Sequence, residues 1–323
     1  MDAAAPLPEA ADPLRALTDL SDTLGRDLIG RGPLIERLLI GLLTGGHLLV
    51  EGAPGLAKTR AVKHLAAAVD GSFARIQCTP DLLPADLTGT PVWRPETGTF
   101  DFVPGPVFHN LVLVDEINRA PPKVQSALLE AMAESQVTSG AETHALPDPF
   151  LVVATQNPIE HDGTFPLPEA QLDRFMLHVV VDLPDMATER RILDLVEAEA
   201  RGEVSALAVL PMDVVRQARS AIARVHIAPA LKDYIVRLVG ATRAGTFAVE
   251  IEHAVSPRGS LALASGARAM AWLSGRDHAV PQDVADLAVE ALAHRMVPTW
   301  RAVSEGRTAR AIVADLLDRV EPL

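Results

Sequence analysis

The chain has 323 residues, 48% of them hydrophobic and only 4% aromatic, so it can bury a sizeable core and leans towards helix. Its 42 acidic and 29 basic residues leave a formal charge of −13 with no run of five or more basic residues, which argues against a nucleic-acid-binding surface. A single cysteine, Cys78, excludes an internal disulfide framework and a cysteine-based zinc site.

Residues 1–12 read as a loose acidic leader that lacks the basic and apolar regions of a signal peptide. A helix is predicted over Leu14 to Thr23. A second covers "PLIERLLIGLLTGG", with Pro33 in its first turn and Gly45-Gly46 at its end. The longest apolar-looking run, Leu38 to Val50, is broken by Thr44, Gly45, Gly46 and His47. It falls short of the roughly 20 residues that span a bilayer, so a cytoplasmic protein is expected. "HLLVE" is a short buried strand, "TRAVKHLAAAVD" a helix and "SFARIQC" another strand. Thr79 to Pro106 holds many prolines and glycines and reads as an insertion with a small hairpin at "GTFDFVPG".

"LVLVDE", residues 111–116, is a continuous apolar strand ending in two carboxylates. "PPKVQSALLEAMAE" is an amphipathic helix with Val124, Ala127, Leu128, Ala131 and Met132 on one face. "PFLVVATQNP" and "FMLHVVVDLP" are further strands. Strands that alternate with helices imply a parallel α/β sheet. From Thr188 onward only helical periodicity remains, so a second, all-helical unit is expected to begin near residue 185.

The stretch "EGAPGLAKT" nearly spells the phosphate loop G-x-x-x-x-G-K-[ST], with Ala57 where the second glycine stands. Such a loop works because backbone N–H groups point inward and a helix N-terminus follows. Lys58 would reach the phosphates and Thr59 would coordinate Mg²⁺. Ala57 can keep a negative φ if the loop turns at Gly55 instead. Taken alone, the stretch also fits a Gly-Pro turn that happens to precede a lysine. About 55 residues later Asp115 and Glu116 close an apolar strand. The carboxyl end of a parallel strand is where ligands bind. Asp115 would hold Mg²⁺ through water and Glu116 would act as general base. The alternative is a pair of acids capping the next helix or facing solvent.

Asn157 tips another buried strand and can position the attacking water, or serve as a turn residue before Pro158. Arg174 in "EAQLDRF" precedes a strand, where a lone arginine is usually a solvated charge. Arg258 in "SPRGS" starts a helix, where the dipole disfavours a cation, so it hints at an anionic partner.

Together "EGAPGLAKT", "LVLVDEINRAPPKVQSALLEAM", "VATQNP", "FPLPEAQLDRFML" and "SPRGSLAL" resemble the AAA+ ATPases, and more closely their MoxR family, over residues of roughly 20 to 300. The resemblance implies an AAA+ P-loop core over 13–185, with a helix-2-type insert at about 79–106, and an all-helical lid over 186–323. It implies a Walker A loop of Gly52, Ala53, Pro54, Gly55, Leu56, Ala57, Lys58, Thr59 and Arg60, in which alanine before the lysine is common. Asp115 and Glu116 match Walker B, Asn157 sensor 1 and Arg258 sensor 2. Arg174 matches the arginine finger that serves a neighbouring subunit, and Ile29 and Gly30 lie where the adenine usually sits. Gln136 to Asp148 matches the hairpin before sensor 1. ATP and Mg²⁺ are the implied cofactors. A homo-oligomer, commonly a hexamer, and a von Willebrand factor A domain protein are the implied partners. Chaperone-like remodelling of a protein client is the implied role. A nucleic-acid motor, set against by the charge, and a scaffold that binds ATP without turnover are the competing readings.

Overall fold

The computed structural model describes residues 12–140, 142–158, 163–202 and 209–322. Of the predicted leader only Asp12 falls within them. Its carboxylate accepts the Leu14 N–H at 3.1 Å and so caps the first helix, α1 (Pro13–Asp27). That helix runs a turn past the predicted Thr23. The second, α2 (Gly32–Thr44), ends where Gly45 turns left-handed with φ 71°, as the Gly-Gly pair predicts.

The α/β part follows as β1 (Leu48–Glu51), α3 (Lys58–Ala67), β2 (Phe73–Gln77), α4 (Pro84–Thr88), β3 (Gly89–Arg94), β4 (Thr99–Pro104), β5 (Leu111–Asp115) and α5 (Pro122–Glu134). Next come β6 (Gln136–Ser139), β7 (Glu142–Ala145), β8 (Leu151–Gln156), α6 (Glu169–Leu172) and β9 (Leu177–Val180). Five strands form a parallel sheet in the order β2-β5-β8-β1-β9. All five residues of β5 are buried, as expected for a central strand covered on both faces. Alternate residues divide between two cores. Leu111 and Leu113 of β5, with Val50 and Val153, face a core shared with α1, α2 and α3. Val112 and Val114, with Leu49 and Val152, face a second core under α5.

The insertion differs in detail from the predicted hairpin. The "GTFDFVPG" segment supplies only one strand, β4, and its antiparallel partner β3 comes from Gly89–Arg94. The second hairpin, β6–β7, forms within Gln136 to Asp148 as the resemblance implies.

The remainder is α7 (Met186–Ala200), α8 (Met212–Ala223), α9 (Pro229–Ala241), β10 (Ile251–His253), α10 (Pro257–Leu273), α11 (Pro281–Leu292), β11 (Val297–Pro298), α12 (Trp300–Ser304) and α13 (Ala309–Arg319). Among the described residues the helices are joined by an antiparallel ribbon, β10–β11, which an all-helical reading leaves out. Strands of two and three residues carry no detectable period. The core that begins under the sheet continues without a break through Leu38 and Leu42 of α2 to Val215 of α8, Leu263 of α10 and Leu287 of α11. Leu287 and Leu292 of α11 are buried, and so is Met296 beyond its end.

Candidate active site

Between β1 and α3 the backbone turns left-handed twice, at Gly55 (φ 81°) and at Ala57 (φ 60°). The expectation of a negative φ at Ala57 is therefore corrected. A turn at Gly55 alone does not bring the chain from strand to helix; the last step falls on Ala57. No side chain caps α3, so the N–H groups of its first turn remain available to a ligand. A cavity of about 1040 Å³ opens over this helix end, lined by Pro54 to Arg60 and by Asp115, Glu116 and Asn157. Its size is at the upper end of the range for small-molecule sites, roughly 300–1,000 Å³.

The Lys58 ammonium donates to the carbonyls of Gly52 and of Ala53, the latter at 2.9 Å. Burial lowers its pKa, and the nearby charges of Asp115, Glu116 and Glu51 work against that shift. Glu51 is itself held below the usual carboxylate range, first by its hydrogen bond with His178 (3.0 Å).

Asp115 is 4% exposed and nearly saturated. Its Oδ1 accepts the Thr59 and Thr155 hydroxyls, each at 3.0 Å, and its Oδ2 accepts Arg75 Nε at 2.7 Å. Glu116 takes φ 58°, and its N–H donates to Thr155 Oγ1 at 3.0 Å. Its Oε2 accepts Gln77 Nε2 at 3.0 Å and lies 3.3 Å from Arg119 Nε. Asn157 is buried at the carboxyl end of β8 beside these acids. The donor set suits Mg²⁺: a hydroxyl and a carboxylate meet beside a helix N-terminus, hard oxygens of the kind that magnesium shares with phosphates. Among the described residues no group of three or more His, Cys, Asp or Glu residues is placed to hold a metal ion.

Six of the predicted residues are not in the cavity lining: Gly52 and Ala53, whose carbonyls accept from Lys58 within the loop, and Ile29, Gly30, Arg174 and Arg258, which stand apart from it. Ile29 and Gly30 do not line it. Gly30 packs against Thr188 at the start of α7, the helix whose Ile192 and Glu199 form the cavity's far wall. Arg174 and Arg258 are further removed. Arg174 precedes β9 and therefore sits at the amino edge of the parallel sheet, whereas the phosphate loop leaves the carboxyl edge of β1. Arg174 Nη1 donates to the Leu129 carbonyl at 3.0 Å. Arg258 lies 3.7 Å from Asp173 and shares with Arg174 a separate hollow of about 310 Å³. Arg258 is thus placed with the predicted finger and away from the nucleotide cavity of its own chain.

Arg258 lies beside a hub that the sequence reading missed. Asp173 accepts Arg295 Nε at 3.0 Å and the Ser256 hydroxyl at 2.9 Å on both oxygens. The Arg295 side chain is 2% exposed and also donates to the carbonyls of Met176, Phe175 and Ala291. Burial lowers its pKa to about 10, opposed by Asp173, so it stays charged at neutral pH. Arg75, Gln77 and Thr155 were also missed. The visible signal was a pair of polar residues two apart in a strand, "RIQ", and a hydroxyl in the apolar run "LVVAT".

A P-loop at the carboxyl edge of this five-stranded sheet, followed by a helical lid, defines an AAA+ ATPase. Sequence profiles agree: the ATPase family associated with various cellular activities (AAA) matches residues 47–177, and the AAA lid domain matches 243–316. Chaperone MoxR1 of Mycobacterium tuberculosis is 43% identical over 304 residues, covering 91% of this chain and 79% of that one. YeaC of Bacillus subtilis, an uncharacterized protein, is 42% identical with 92% of each chain covered. Protein MoxR of Paracoccus denitrificans is 34% identical over 86% of this chain and 87% of its own. A crystal structure of a candidate ATPase from Cytophaga hutchinsonii superposes with a TM-score of 0.87 at 41% identity, covering 96% of both chains. The chain belongs to the MoxR family of AAA+ ATPases, so it binds nucleotide and is an ATPase. Among the described residues, no helix is long and apolar enough to cross a membrane.

Proposed function

We propose that the chain is a cytoplasmic, Mg²⁺-dependent ATPase that works as a homo-oligomeric ring, by family resemblance a hexamer, and remodels a protein client. Lys58 and the N–H groups of 55–60 would hold the phosphates of ATP, with Ile29 and Gly30 towards the base. Thr59 and Asp115 would hold Mg²⁺, which when bound with the nucleotide neutralises phosphate charge. Glu116 would take the proton of the attacking water, and Asn157, beside it, would orient that water.

The observation that carries the oligomer is the separation of edges. Arg174 and Arg258 stand together at the amino edge of the sheet, away from the cavity at its carboxyl edge, Arg174 on the Leu129 carbonyl and Arg258 beside Asp173. Arginines so placed suit the nucleotide of a neighbouring subunit. Such a finger given in trans is worth about 10³–10⁵ in rate in well-studied NTPases. The client role is favoured by the name of one relative, Chaperone MoxR1, and by the charge of −13, which disfavours a nucleic-acid motor. A von Willebrand factor A domain protein as partner rests on the family resemblance.

Two variants test the reading. Glu116→Gln is expected to bind ATP and fail to turn it over; normal turnover would remove Glu116 as the base. Arg174→Ala and Lys58→Ala should each be inactive alone. Mixed, they should recover part of the activity, because the lysine variant lends its Arg174 to an intact loop. No recovery in rings shown to be mixed would refute the trans arrangement.

A further inference from the structure

Asp115 has little room left for a metal. A carboxylate offers about four lone-pair sites, and Oδ1 spends both of its own on the Thr59 and Thr155 hydroxyls. Oδ2 is engaged by Arg75 at 2.7 Å, so one site remains. The contact is a charged one on a nearly buried acid, since the Asp115 side chain is 5% exposed and that of Arg75 43% exposed. The carboxylate is therefore the fixed partner and the guanidinium the movable one. Arg75 reaches Asp115 from β2, the neighbouring strand, and lines the nucleotide cavity. Its other end donates to Gln77 Oε1 at 3.1 Å, and that same Gln77 holds Glu116.

We propose that Arg75 is the resident counter-ion of Asp115, a positioning residue that must swing away before the carboxylate can receive a divalent cation. The inference rests on Asp115 being the residue that holds Mg²⁺. Arg75 keeps a buried carboxylate neutralised while no metal is present, which avoids an uncompensated buried charge. It also repels an entering dication at short range. Arg75 thereby sets the free Mg²⁺ concentration at which the nucleotide site becomes competent. Its Gln77 contact ties that exchange to the acid that activates water.

The test is a Mg²⁺ titration of the binding of a fluorescent ATP analogue to the full chain, wild type against Arg75→Gln and Arg75→Met. Glutamine keeps a hydrogen bond within reach of Asp115 without the charge, so it carries the test if the methionine variant fails to fold. Removing one like charge near the dication is expected to lower the half-saturating Mg²⁺ by about three- to tenfold. An unchanged midpoint would overturn the proposal. A raised midpoint would do so too, and would mark Arg75 as a ligand of the phosphates. Asp115→Asn separates this outcome from failure of the underlying reading. If wild type binds the analogue with no Mg²⁺ dependence, or if Asp115→Asn keeps the wild-type midpoint, Asp115 is not the metal residue and both fall.

Discussion

Replacing Asp173 by asparagine tests the hub that joins the two parts of the chain. The amide keeps the shape and one acceptor oxygen but removes the charge opposite Arg295. That guanidinium has nowhere to go, with its side chain 2% exposed and pinned by three carbonyls in addition to Asp173. Breaking a buried ion pair from one side costs about 3–5 kcal/mol when the survivor is left uncompensated. Here the carbonyls still solvate Arg295, so a loss of about 2–3 kcal/mol is expected, near the value of one charged hydrogen bond. For a chain of this size that lowers Tm by about 3–5 °C. Thermal melts of wild type, Asp173→Asn, Arg295→Met and the double variant close a thermodynamic cycle. A coupling of about 1.5 kcal/mol or more is expected. A single-variant loss under about 1 kcal/mol, or a coupling near zero, would show that Asp173 does not hold Arg295 as described.

Two further predictions concern the α/β part. His47 is buried with Nδ1 accepting the Val152 N–H (3.0 Å) and Nε2 donating to the Met132 carbonyl (3.1 Å), beside the Phe150 ring. Burial pushes its pKa down to about 4. Between the unfolded value near 6.5 and that folded value the unfolded chain binds more protons, so stability falls as pH falls through this window, by about 3 kcal/mol at most. Denaturant unfolding from pH 7 to 4 should show this slope, and His47→Gln should flatten it; equal slopes would acquit His47. Ala57→Gly should gain about 0.5–1 kcal/mol, because glycine adopts φ 60° without the Cβ penalty. A glycine variant that melts lower would mean that the alanine methyl makes a contact worth more than the strain.

The sheet and its order of motifs were legible because each rests on local chemistry. An apolar run such as "LVLV" bounded by polar residues fits a buried central strand, and "GAPGLAKT" fits a turn into a helix. What local pattern does not carry is which elements meet. Asp173 and Arg295 are 122 residues apart, and nothing in "QLDRF" or "LAHRM" says that they pair. The motif "SPRGS" fixes the residue type of Arg258 and not the edge of the sheet where the fold leaves it. Ala57 was given the conformation alanine prefers, whereas the loop imposes the one that its exit into α3 requires.

The placement of cavity and arginines on opposite edges of one sheet gives each chain a head and a tail. Subunits that meet by matching head to tail cannot be satisfied in a two-fold pair, where identical faces come together. If the arginines serve a neighbouring subunit as proposed, an open row of such subunits leaves one cavity unserved at one end and one arginine pair idle at the other. Only closure removes both ends at once. Assembly would then be all-or-none in its reward: the last subunit to join completes two interfaces, and partial rings lack the symmetry of every site being served. Dilution should therefore switch activity off more steeply than it would for independent sites.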